Sequence, residues 1–329
     1  MPLNVRDHGG DGPPLVLLHG SGRSLADWDA SAAALTASHR VLAVDLPGHG
    51  RSTDISPWTI PTVVRHIADT LDAHGVPETV VVGHSLGGMV AIEYARAYED
   101  SARAAVNLDC FWWGRPGEYP GAERVGELLR RSAGAAAPPG YIEEQVAHAA
   151  RYGIPSDRAE AAARAAVRPL PDGRWQTLPE CTAALEMYGE LDRLGALGVT
   201  AWLEGMTCPL LLVQAGRLQP PPTTEWFDDL STRFARGLSA ELAELSRNRP
   251  NITVTQIDAS HPMTLEAPEA VAKLIAGFVR GLSAGTTAAG TPTEPPWFSP
   301  TSTARYAVPR ADLPGHAPEG RPTDHEGER

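Results

Sequence analysis

The chain has 329 residues, enough for one large core with an inserted unit. Its 42% hydrophobic and 21% charged residues are ordinary for a soluble globular protein. A formal net charge of −12 argues against a nucleic-acid binder, which needs a basic face, no apolar run approaches the ~20 residues of a membrane helix, and the first residues lack the apolar stretch of a secretory signal, so a cytoplasmic setting is expected. In chain order, a short strand at 3–6 and a turn-rich loop at 7–14 come first. Four β-rich apolar runs follow at 15–18, 41–44, 79–82 and 104–108, separated by helical stretches at 27–37, 60–74 and 88–98. This alternation predicts a mostly parallel, doubly wound α/β sheet. From 113 to 206 the alternation breaks. The segment is rich in Ala, Glu and Arg, carries no convincing strand, and suggests helices at 121–132, 141–152, 156–167 and 182–195. A strand at 209–215, a long helix at 223–247, a strand at 252–257 and a helix at 267–282 complete the pattern. The final helix places Val271, Leu274, Ile275 and Phe278 on one face. Residues 284–329 are Thr, Pro, Gly and charge, a composition that buries too little apolar surface to fold and reads as a disordered tail.

The run at 79–82 leads directly into Gly83-His84-Ser85-Leu86-Gly87 and then into a helix. A strand, a sharp turn and a helix with serine at the tip lift a weak nucleophile clear of the sheet, while the helix N-terminus aims N–H groups at a developing oxyanion. Two further strands end in glycine turns, His19-Gly20-Ser21-Gly22 and Asp45-Leu46-Pro47-Gly48-His49-Gly50-Arg51-Ser52. Together, in this order and spacing, the three blocks resemble the α/β-hydrolase superfamily over 3–112 and 205–283. The resemblance is specific for the fold and far less so for the substrate. It implies an α/β-hydrolase core at 1–112 and 205–283, with an inserted helical cap at 113–204. Packing of those helices on the sheet edge is the plainer alternative. Members often carry a further N-terminal strand, for which this chain leaves little room.

A serine nucleophile needs a histidine within hydrogen-bond reach. Of eleven histidines, His261 follows the last strand, where α/β sheets place their sites, and is the candidate general base. His19, His49 and His84 sit in the motif turns and are expected to hold loop backbones. The resemblance implies an acid after the strand at 209–215, but the sequence there is Gly216-Arg217-Leu218-Gln219. A neutral amide cannot stabilise the imidazolium formed when histidine takes the serine proton. Asp109, at the end of the strand that follows the nucleophile, is the candidate acid and preserves the order Ser, Asp, His. Glu225 and Asp228 are the alternatives, and Asp45 is expected to hold its own loop.

The backbone N–H groups of Leu86 and Ser21 are the candidate oxyanion hole. Trp112 and Trp113 are candidates to line an apolar substrate pocket, against cap-to-sheet packing. Cys110, Cys181 and Cys208 are widely spaced and form no disulfide framework or zinc pattern, and no phosphate loop appears, so no metal or cofactor is implied. The expected protein is a cofactor-independent serine hydrolase acting on a small-molecule ester or lactone through an acyl-enzyme on Ser85, with no nucleic-acid or membrane partner and the oligomeric state left open. Carbon–carbon bond hydrolysis or lyase chemistry on the same triad, and a non-catalytic ligand-binding protein of the same fold, are the competing readings. A dehalogenase or epoxide hydrolase would carry aspartate where Ser85 stands.

Overall fold

The computed structural model of the protein describes residues 2–52, 55–113, 117–218, 220 and 224–283. The expected tail at 284–329 and Gln219 lie outside them. Seven strands form the central sheet: β1 (Val5–Asp7), β2 (Pro14–Leu18), β3 (Arg40–Val44), β4 (Thr79–His84), β5 (Ala102–Leu108), β9 (Leu210–Ala215) and β10 (Ile252–Ile257), in the order β1-β3-β2-β4-β5-β9-β10. Only β1 is antiparallel, pairing with β3 at the edge. The inner strands are β-branched and leucine-rich because both faces are covered. Leu15 and Leu17 face one side with Val80 and Val82, and Val16, Leu18 and Val81 face the other, so period-two alternation divides the core in two.

The first of these layers is covered by α1 (Asp29–Leu35) and α11 (Pro268–Ser283). The second is covered by α2 (Ile60–Ala73), α3 (Leu86–Ala97) and α9 (Glu225–Asn248). In α2, Thr59 caps the start by accepting from Thr62 N–H, and Ile60, Val63, Val64, Ile67 and Leu71 form the buried stripe. The chain runs from β2 outward to β3 in one direction, and from β4 outward to β5, β9 and β10 in the other. The loops after β2 and β4 therefore part on opposite sides, leaving a crevice at the carboxyl ends of those strands.

Between β5 and β9 lie α4 (Ala122–Ser132), α5 (Tyr141–Ala150), α6 (Ser156–Ala165), α7 (Cys181–Gly195) and the short α8 (Val199–Trp202). The expectation of no strand here is corrected. β6 (Ala136–Ala137), β7 (Val167–Pro169) and β8 (Trp175–Thr177) form a small antiparallel sheet in the order β6-β8-β7. Strands of two or three residues are too short to show a period, yet Pro171-Asp172-Gly173 between β7 and β8 is a turn signal, with Gly173 at φ 81°. The helix expected at 156–167 stops at Ala165 because Val167 enters this sheet.

The insert packs on and bonds to the core at several places. Met187, Leu191 and Leu194 of α7 join the core layer that holds α2 and α3. Glu186 and Glu190, one turn apart on α7, accept from the N–H groups of Trp58 (2.7 Å) and Ile60 (3.1 Å) at the start of α2. Ile154, Ala159 and Ala162 pack on Leu265 of the short helix α10 (Met263–Glu266).

Candidate active site

Ser85 joins β4 to α3 with φ 52° and ψ −130°, a conformation most residues avoid. Neighbouring glycines make the turn possible. A Cβ at Gly83 would lie 1.8 Å from Gly87 O, and one at Gly87 would lie 2.3 Å from Leu18 O. Ser85 N–H donates to Leu108 O (3.0 Å) and Gly87 N–H to His19 O (3.1 Å), tying the turn to β5 and to the loop after β2.

That loop stands directly beside the serine, since a Cβ on Gly20 would sit 3.1 Å from Ser85 Cβ. His19 holds it in place. Its Nδ1–H donates to Gly20 O (2.8 Å) and its Nε2 accepts from Leu46 N–H (3.0 Å), the pattern of a neutral ring. Full burial is the main cause that drives its pKa down. Leu86 is the first residue of α3, so its N–H finds no acceptor inside the helix. Among the described residues, neither Leu86 N–H nor Ser21 N–H donates to a backbone carbonyl.

His261 follows β10 and lies between two partners. Its Nδ1 is 2.7 Å from Asp109 Oδ2 and its Nε2 is 3.2 Å from Ser85 Oγ. The structure thus brings Ser85, Asp109 and His261 together, whereas Glu225 and Asp228 belong to the first turn of α9. Asp109 also has a positive φ, 55°. Three features hold it there. Its N–H donates to Val213 O (2.8 Å), its Oδ1 accepts from Ala215 N–H (2.8 Å), and Asn107 bridges the turn with its side chain, accepting from Cys110 N–H (2.8 Å) and donating to Cys110 O (2.9 Å). Burial by itself would raise the Asp109 carboxyl. The His261 hydrogen bond and charge, together with Ala215 N–H, outweigh it and hold the group below its ordinary value.

His84 supports His261 from behind. Its Nε2–H donates to His261 O (2.7 Å), with ring centroids 5.0 Å apart. Burial and then the neighbouring His261 charge push its pKa down to about 3, so it stays neutral. Asp45 accepts from Leu25 N–H, Asn4 Nδ2 and Arg51 N–H at 2.7–2.9 Å, a set of bonds that holds its own loop.

The two tryptophans diverge. Trp112 stacks on Tyr188 of α7 (6.1 Å, 19°), and its indole N–H donates to Asp192 (2.6 Å). Tyr188 OH in turn lies 3.4 Å from Ser21 Oγ. Trp113 packs on Phe234 (4.5 Å) and Phe227 of α9. Both line a cavity of about 20 Å³ with Met89 and Phe111. Reading the sequence missed Asn107 and Tyr188. An asparagine two residues before a strand-end aspartate is a turn signal that was available, whereas nothing local marks which residue of an inserted helix meets Ser21.

A serine hydroxyl next to an imidazole, with a carboxylate behind the imidazole, is a side-chain set that can carry out acyl transfer. Comparison with known proteins agrees with the architecture. The alpha/beta hydrolase family model matches residues 15–274. Lipase LipV of Mycobacterium tuberculosis is 43% identical over 108 residues, 32% of this chain and 41% of that protein. A pimeloyl-acyl-carrier-protein methyl ester esterase of Methylococcus capsulatus is 38% identical over 121 residues, 35% of this chain and 44% of that protein. The chain spans about half the length of the curated relatives it matches. The crystal structure of an E-2-(acetamidomethylene)succinate hydrolase superposes with a TM-score of 0.64 at 24% identity, covering 84% of this chain and 95% of that one, a likeness of fold. The two curated relatives are a lipase and an esterase by name, and the chain is a member of the alpha/beta hydrolase family.

Proposed function

We propose that the protein is a cofactor-independent serine hydrolase of small carboxylic esters or lactones. The observation that carries this reading is His261, 2.7 Å from Asp109 on one ring nitrogen and 3.2 Å from Ser85 Oγ on the other. Ser85 Oγ attacks the carbonyl carbon while His261 Nε2 takes its proton. Asp109 holds the ring in the correct tautomer and stabilises the imidazolium. The N–H groups of Leu86 and Ser21 receive the oxyanion. Collapse expels the alcohol, protonated by His261, and leaves an acyl ester on Ser85. Water, deprotonated by the same ring, then releases the acid. The names of the lipase and esterase relatives support ester chemistry.

In this reading residues 1–112 and 205–283 are the catalytic core and 113–204 a cap. The contact between Tyr188 and the Ser21 turn supports that division, because it brings the insert to the oxyanion site. Trp112, stacked on Tyr188, then forms the wall of the acyl pocket, and Trp113 the packing behind it.

A fluorophosphonate probe tests the proposal. The folded wild type should label covalently and release p-nitrophenol from short-chain p-nitrophenyl esters, and Ser85→Ala should do neither. A folded wild type that takes no label would leave only a ligand-binding role.

A further inference from the structure

The loop after β9 holds no described acid near the base, but it does hold Arg217. Arg217 reaches the loop of His261 at four points. Its backbone N–H donates to Ala259 O (3.0 Å), and its guanidinium donates to Asp258 O (2.9 Å) and pairs with the carboxylates of Asp258 (3.0 Å) and Glu266 (2.8 Å). Asp258 is 92% exposed, and a pair with so exposed a carboxylate contributes little. Glu266 is different. Its side chain is only 4% exposed, and its other oxygen accepts both the N–H (2.8 Å) and the hydroxyl (2.5 Å) of Ser260. Ser260 immediately precedes His261.

Burying a carboxylate is costly, and partners within reach offset rather than exceed that cost. Glu266 forms no described hydrogen bond with Ser85, His261 or Asp109, so its burial is not explained by direct chemistry. What its bonds do is fix one peptide unit. Ser260 is held from the α10 side by Glu266, and the next carbonyl, that of His261, is held from the β4 side by His84 Nε2–H (2.7 Å). The imidazole hangs between these two anchors.

We propose that Arg217 and Glu266 form a positioning relay for the base. Arg217 orients Glu266, Glu266 fixes Ser260, and Ser260 sets where the His261 ring stands between Asp109 and Ser85. The loop after β9 thus constrains the histidine from the backbone side, while Asp109 on β5 constrains it from the ring side. The inference rests on the reading of His261 as the general base.

The test uses the full-length protein and the rate and saturation of fluorophosphonate labelling, with melting temperature measured alongside. Arg217→Met and Glu266→Gln keep the shape and remove the charge. Each should slow the maximal labelling rate by about 10- to 100-fold, the scale of a base displaced by a fraction of an ångström to 1 Å, with a much smaller change in the probe concentration giving half-maximal rate. Arg217→Lys should restore part of the rate. The double variant should be no slower than the slower single, because residues acting through one contact are not additive. Wild-type labelling rates in folded Arg217→Met, or losses that multiply in the double variant, would overturn the relay. Arg217 is half-exposed, so its variant keeps the test decisive even if Glu266→Gln fails to fold. Ser85→Ala and His261→Ala run beside them separate the two ideas. If those two still label, the hydrolase reading fails. If they are dead while Arg217→Met is unaffected, only the relay fails.

Discussion

At the scale of single residues, the site is a set of side chains held by backbone that most sequences could not adopt. Ser85 and Asp109 are the two non-glycine residues with positive φ among the described residues. They are also the proposed nucleophile and acid. Asn107 shows how such a residue is held, with both amide atoms of its side chain bonded to Cys110 across the turn. If Asp109 orients His261, Asp109→Asn should preserve shape but lower kcat by about 10⁴-fold, the loss known for this change in a serine protease. Glu225→Gln and Asp228→Asn should leave kcat within a few-fold. The reverse order, read in ester hydrolysis rates, would move the acid to α9. Ser85 and His261 could be picked from the sequence because each stands in the turn or loop that follows a predicted strand. Asp109 could be ranked first from its place at the end of 104–108, but its bond to Ala215 N–H joins residues 106 apart, and no local pattern carries such information.

At the scale of elements, the legible parts were those long enough to show a period. α11 was marked by apolar spacing, and β10 was bounded as it stands in the structure. β6, β7 and β8 were not legible, since three residues cannot alternate. Nor was the docking of α7, because periodicity identifies a buried face and not the surface it meets. Glu186 and Glu190 illustrate this. They accept from the N–H groups of Trp58 and Ile60 at the start of α2, where the helix dipole favours negative charge. Glu190→Gln should therefore lower stability by about 1 kcal/mol, a fall of about 2 °C in Tm. Glu127→Gln, on the exposed face in the middle of α4, should shift Tm by less than can be measured. Equal effects would show that Glu190 acts as an ordinary surface charge.

At the scale of the whole molecule, buried neutral histidines tie the fold to pH. His49 and His84 are both pushed down to about 3, His49 chiefly by burial and then by the charge of His19, and His19 shifts the same way. The unfolded chain binds these protons near pH 6.5 and the folded one does not. Their contribution is fully present above about pH 6.5 and is lost as pH falls toward about 3. The lowered Asp109 carboxyl acts in the same direction at the acid end of that window. Urea unfolding midpoints should fall steadily from pH 7 to pH 4, and a midpoint constant down to pH 4 would show that these rings titrate freely. The strained backbone at Ser85 has a different consequence. If Ser85 is the nucleophile, activity requires a side chain where the chain geometry prefers none, so durability and chemistry pull apart at one Cβ. Ser85→Gly and Ser85→Ala lose the same hydroxyl, but only glycine relaxes the φ of 52°. Released strain of about 1–3 kcal/mol exceeds the added freedom of the unfolded glycine, about 0.5–1 kcal/mol. The glycine variant should therefore melt above the alanine variant, making the disarmed protein that lacks the Cβ the longer-lived of the two.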